Sequence, residues 1–149
     1  GPLKTVLAPP PPTPDALEVT RLADGRSFDG APENFKGSVH VESGFAAFAP
    51  GRNSGAMVHF EAGAHTAWHT HPLGQVLLVT DGEGWVQSEG EARQTVRPGD
   101  VVRIPPDVRH WHGATATTAM SHVAVAEKKD GSSVTWMEHV PDDVYDGAE

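Results

Sequence analysis

The chain has 149 residues, a net charge of −9, nine histidines and no cysteine. That length fits one domain with a real core, and the lack of cysteine excludes disulfide frameworks, thiolate metal sites and cysteine nucleophiles together. An acidic surface repels phosphate backbones, so nucleic acid is not an expected partner, and no stretch approaches the roughly 18 apolar residues of a membrane helix, so no membrane partner is expected either.

The opening Gly1-Pro2 reads as a protease-cleavage scar. The expected compartment is the cytoplasm, with the periplasm the alternative if a signal peptide once preceded it. Residues 8–15, APPPPTPD, can form neither a helix interior nor a central strand, because proline lacks the amide donor. They predict an extended, polyproline-like arm, either a plain linker or a strap along a neighbouring subunit. Residues 1–35 read as an N-terminal extension and residues 36–149 as the domain proper.

From about Phe35 short β-branched and aromatic runs alternate with glycine turns: GAMVHFEAG (55–63), then a long stretch from Gln75 to Pro106, then RHWHG (109–113) and residues 118–140. The turns are DGEG (81–84), EGE (89–91), RPGD (97–100) and KDGSS (129–133). Helical periodicity never exceeds a turn or two. Many short strands at even spacing predict an all-β sandwich or barrel.

Strand side chains alternate faces, so His69 and His71 point the same way, about 7 Å apart, as two ligands of one ion would. Trp68 and Thr70 point the other way. Gln75 follows a Pro72-Leu73-Gly74 turn and can fold back toward the same ion. His110 and His112 repeat the pattern, with Trp111 opposed. His122 and His59 are lone polar residues in apolar strands. Strict alternation from His69 puts Thr66 on the outer face, so an inward Thr66 requires a strand break near Gly63. Trp68 and Trp111 either pack inside the subunit or bury against a second one, and a homodimer or homotetramer is expected.

Two spaced blocks stand out. Gly63, five residues, His69-Thr70-His71, three residues, Gln75, six residues, Gly82 is the first; Gly99, five residues, Pro105, then His110 is the second. Together they resemble the two motifs of the cupin family. Gln75 stands where that family has glutamate, Asp107 where it has glycine, and Ala114 where it has asparagine. The resemblance covers about residues 36–140 and implies a single-domain jelly-roll β-barrel with a divalent metal inside, held by His69, His71, Gln75 and His110.

A nearer resemblance rests on TAWHTHPLGQ, PGDVV, HWHGA, TTAMSH and WMEHV, which look like the bacterial manganese-dependent, R-selective hydroxynitrile lyases. It implies a small-molecule substrate, with His122, His112 and Thr66 lining the active site and Ala56 and Val58 at pocket positions. His122 would take the cyanohydrin's hydroxyl proton as the C–C bond breaks and cyanide leaves. Ala126, on the face of His122, would leave the pocket wall open, and His59 and His65 would add polar groups near the site's mouth.

Gln75 cancels no charge, so three imidazoles and an amide leave the full +2 on the ion. That favours Lewis-acid chemistry and disfavours oxidation. The donor set suits Fe²⁺, Mn²⁺, Co²⁺, Ni²⁺ or Zn²⁺ and does not by itself name the occupant; the resemblance to the manganese-dependent lyases implies Mn²⁺ first. Two rival functions share this scaffold: a non-haem dioxygenase of the quercetinase kind, and a non-catalytic metal-dependent binder of small ligands.

Overall fold

The computed structural model describes residues 13–148. Most of the proline run, and with it the expected strap, lies outside the described residues. Thirteen strands follow in chain order: β1 Ser27–Asp29, β2 Phe35–Lys36, β3 Val39–Ala46, β4 Asn53–Phe60, β5 His65–Thr66, β6 His69–Thr70, β7 Gln75–Gly82, β8 Gly84–Ser88, β9 Gln94–Val96, β10 Val101–Ile104, β11 His110–Ala114, β12 Met120–Glu127 and β13 Thr135–Trp136. A 3-10 turn at Leu22–Asp24 and a one-turn helix, α1 at Asp142–Tyr145, are the helical pieces among the described residues.

One sheet has the order β1-β3-β4-β12-β7-β10; the other runs β13-β6-β11-β5-β2, with β8 and β9 extending from β11. Every pairing is antiparallel. The two sheets face each other as a jelly roll whose edges are not hydrogen-bonded into a closed ring. Strand pairing starts at β1, ahead of the domain boundary expected at residue 36: Phe28 pairs with Val41.

Period-two patterning explains which side chains meet between the sheets. In β7, Leu77 and Val79 are buried while Val76 and Leu78 are exposed; in β4, Val58 and Phe60 turn inward. These join Val39, Val41, Ala64, Val96, Ala114 and Met120 in the main core. A bulge shifts the register of β12 against β7, where Ser121 pairs with Asp81 but His122 with Val79. Thr80 is the extra residue, and the kink keeps His122 on the inner face.

A second cluster forms behind the other sheet. Trp68 and Trp111 pack with Val140 and Tyr145 of the C-terminal segment, flanked by Trp85, Met137 and Val144. Trp111 is 0% exposed, and its indole N–H donates to Gln87 Oε1 at 2.9 Å. Both outward tryptophans are thus covered by their own chain, and their burial needs no second subunit. The Tyr145 hydroxyl donates to the Ala114 carbonyl at 2.8 Å. This fastens α1 at the position where the cupin pattern has asparagine.

Tyr145→Phe keeps the ring packing and leaves the Ala114 carbonyl unpaired, so it should cost about 1 kcal/mol of stability in urea denaturation. An unchanged midpoint would show that this hydroxyl does not fasten the C-terminal segment.

Candidate metal and substrate site

Three strand features build the site. β6 and β11 lie side by side in the second sheet with His110 paired to His69. The turn that follows, closed by Gly74 N–H donating to His71 O at 3.1 Å, brings Gln75 back as the first residue of β7 in the opposite sheet. Gly74 holds φ +76°, and a Cβ there would lie 2.6 Å from the Ile104 carbonyl oxygen, so only glycine fits. Asp107 also holds a positive φ, +61°, and its N–H donates to His71 O at 2.9 Å. That conformation explains glycine at this position in the cupin pattern, and aspartate is among the few residues that tolerate it.

His69, His71 and His110 are buried, and one ring nitrogen of each lies within 4.8 Å of the others. Each Nδ1 faces a backbone carbonyl: Ala67 O at 2.9 Å, Ser133 O at 2.7 Å and Val108 O at 2.9 Å. A carbonyl can only accept, so each Nδ1 carries the proton and each Nε2 keeps its lone pair. Nε2 of His71 and of His110, together with Gln75 Oε1, are buried with no partner. Leaving such atoms unpaired costs about 1–3 kcal/mol apiece. An acceptor-only set converging on one point fits a divalent cation, and the three histidines could hold one. They are the one such histidine or carboxylate group among the described residues.

A cavity of about 420 Å³ opens beside these histidines. Thr66, His69, His71, Gln75, His112 and His122 line it, as do Ala56, Val58 and Ala126. His122 Nε2 lies 3.0 Å from His112 Nδ1, while His122 Nδ1 is buried without a partner. Thr66 Oγ1 accepts the His112 backbone N–H at 3.2 Å, which leaves its own hydroxyl proton free to donate. Thr66 faces inward because the strand breaks between it and His69, at Ala67 and Trp68 rather than near Gly63: Ala67 N–H donates to Asn34 O and Trp68 N–H to Glu138 O.

Two expectations about the site's mouth are corrected. His59 lies on the outer face of the first sheet, the side opposite Val58, bonded through Nδ1 to Ser121 Oγ at 2.6 Å and through Nε2 to Glu42 Oε1 at 2.7 Å. Its parity in β4 decides this. His65 stacks on Tyr145 with centroids 4.0 Å apart, behind the second sheet, because the break at Ala67 separates its parity from that of His69. The cavity also recruits residues not singled out in the sequence: Phe35 and Trp136, whose rings meet edge-on at 5.3 Å, and the small Gly55 and Ala124. Ala124 shares the inner face of β12 with His122 and Ala126, so strand parity alone could have found it. Trp136 carried no such signal, since only its pairing with His69 brings it in.

Burial holds these imidazoles neutral. Desolvation, aided by the neighbouring imidazoles, takes His69 and His112 well below the usual 6.5. It also lowers His71 and pushes His110 and His122 down to about 4.

With fold and donor set in view, the class is plain: the chain belongs to the cupin family, and the family model described as the cupin domain matches residues 56–126. The chain is 50% identical over 129 residues to the (R)-mandelonitrile lyase of Granulicella tundricola, spanning 87% of this chain and 98% of that protein. A solved cupin-like protein from Thermotoga maritima is 35% identical, with a TM-score of 0.73 over 78% of this chain and 89% of its own. A cupin-2 domain structure from Rhodospirillum rubrum, at 16% identity and a TM-score of 0.65 over 80% of each chain, shares the fold.

The depressed histidines set an acid limit. The unfolded chain takes up their protons near pH 6.5 while the folded chain resists, so stability falls as pH drops through that window toward 4. For His122 alone the loss approaches roughly 3 kcal/mol. Metal-stripped protein should therefore melt at a markedly lower temperature at pH 5 than at pH 7.5, and equal melting temperatures would contradict the burial account.

Proposed function

We propose that the protein is a divalent-metal-dependent lyase that cleaves a small cyanohydrin to an aldehyde and hydrogen cyanide, and catalyses the reverse addition. The observation that carries the reading is the neutral His112–His122 pair in the same cavity as His69, His71 and Gln75 of the donor set, in a chain half identical to a protein named (R)-mandelonitrile lyase. His69, His71, His110 and Gln75 would hold the cation, Mn²⁺ first, which when bound supplies Lewis acidity toward a hydroxyl or carbonyl oxygen.

The chain's own groups do the rest. In the tautomer whose Nε2–H donates to His112 Nδ1, His122 would keep its Nδ1 lone pair and act as the base. It takes the hydroxyl proton; the C–CN bonding pair leaves with cyanide, the C=O bond forms, and the imidazolium returns the proton to cyanide. Thr66 donates to the substrate oxygen. Phe35 and Trp136 form an aromatic wall opposite the small Ala56, Ala124 and Ala126, and that width suits an aryl substituent. Neutral donors throughout favour proton transfer over redox cycling, against the dioxygenase reading.

Mandelonitrile cleavage should proceed without oxygen, cease on metal removal and return on adding Mn²⁺. His122→Ala should cut turnover roughly 10²-fold or more while metal content stays at the wild-type level. Metal-loaded protein that consumes oxygen with a phenolic substrate and leaves mandelonitrile intact would establish the dioxygenase. A His122→Ala variant with full ligand binding and no wild-type turnover to lose would establish the non-catalytic binder.

A further inference from the structure

The three metal-type histidines are not aimed in the same way. His69 and His110 each donate to the carbonyl two residues back, in the segment that leads into their own strand, so the local backbone alone orients the rings. His71 donates to the carbonyl of Ser133, 62 residues away in the chain. That carbonyl belongs to the hairpin after β12.

The hairpin is tightly made. Lys129 and Ser132 exchange backbone hydrogen bonds of 2.9 and 3.1 Å. Between them Asp130 and Gly131 both hold positive φ, +52° and +84°, the signature of a type I′ turn. The Val134 N–H, on the peptide that carries the Ser133 carbonyl, donates to Ser132 Oγ at 3.4 Å, and Ser132 Oγ in turn donates to Val134 O at 2.9 Å, so Ser132 braces that peptide. Immediately beyond, Ser133, Val134 and Trp136 line the substrate cavity, and the Trp136 ring lies 4.6 Å from that of His69.

We propose that the Lys129–Ser133 turn is a positioning element for His71: its Ser133 carbonyl sets the tautomer and ring direction, so the turn governs cation affinity and ties the loaded site to the cavity wall. The inference rests on the metal reading above. It follows from a general property of metal-binding histidines, whose second nitrogen needs a fixed acceptor, and loss of that acceptor typically lowers affinity 10- to 100-fold. Here the acceptor is supplied from a surface turn rather than from the barrel.

Gly131 gives a clean test. A methyl group there would meet no atom within 4 Å, yet its φ of +84° is strained for a branched side chain. Gly131→Val therefore perturbs the turn through backbone conformation alone, whereas Gly131→Asn tolerates that conformation. Titration of metal-stripped protein with Mn²⁺, followed by electron paramagnetic resonance, should show affinity about tenfold weaker for Gly131→Val. Gly131→Asn should bind like the wild type. Ser132→Ala, which removes only the brace, should fall between them. Trypsin supplies a second readout at the exposed Lys128 and Lys129: Mn²⁺ should slow cleavage there in the wild type but not in Gly131→Val. Wild-type affinity in both Gly131→Val and Ser132→Ala would overturn the inference and leave the metal site standing. A wild-type protein that takes up no Mn²⁺ would sink the metal reading, and this inference with it.

Discussion

The site depends on one constraint: an imidazole that is buried and whose Nδ1 faces a carbonyl has a single state open to it. Burial denies it a second proton, and the carbonyl, which only accepts, claims the proton it has. The remaining nitrogen must present a bare lone pair. Three such rings, His69, His71 and His110, meet within 4.8 Å. Lone pairs gathered in a low-dielectric space repel each other, and those of His71 and His110 are buried with no partner, so the folded chain alone carries a cost there that a cation would remove. The donor set is therefore not just a coincidence of residue types; the backbone has already selected the tautomer that binds.

The two sheets divide the work. The second sheet, through β6 and β11, supplies the three imidazoles of the donor set, His71 lying just past β6. The first supplies His122 and the small inner residues Ala124 and Ala126 from one strand, β12, with Ala56 opposite Ala124 on β4. Those three small side chains leave room for the cavity beside a large aromatic wall, and the bulge at Thr80 brings His122 into register with it. A core of this size would gain stability from larger residues at 56, 124 and 126. The sequence forgoes that packing, as expected where a ligand is to occupy the space.

Much of this was legible in the sequence, and the failures share a cause. The turn glycines and short alternating runs gave the all-β class, because both are local signals. The spacing around His69, His71 and His110 marked the donor set, because His69 and His110 open short strands and His71 follows directly on His69 and Thr70 with no break between them. Thr66 and His65 were harder. The break at Ala67 and Trp68 is made by bonds to Asn34 and Glu138, partners too distant in the chain for local pattern to reveal. His59 followed strand parity faithfully; the error lay in placing it near the mouth on its polarity alone, when its partners Glu42 and Ser121 lie on the outer face. Trp68 and Trp111 were correctly turned outward. Their cover, Tyr145 and Val140, comes from a segment with no strand pattern at all.

The basicity of His122 bears on the kind of chemistry the cavity suits. Burial that lowers its pKa to about 4 makes it uncharged and ready to accept a proton across the neutral range, but a weak base toward an ordinary alcohol. Alone it could not deprotonate a cyanohydrin. A cation held by His69, His71, His110 and Gln75 would supply the Lewis acidity that closes the mismatch, by lowering the hydroxyl's pKa toward that of the imidazole. The imidazolium formed is then a strong acid, poised to return its proton to departing cyanide. Its partner His112, kept well below the usual 6.5 by burial and then by the surrounding imidazoles, fixes the ring while staying neutral itself. A neutral dyad beside a donor set that would leave a bound cation its full +2 charge would suit reversible proton transfer, and the same burial that weakens His122 in isolation suits it to the proposed reaction.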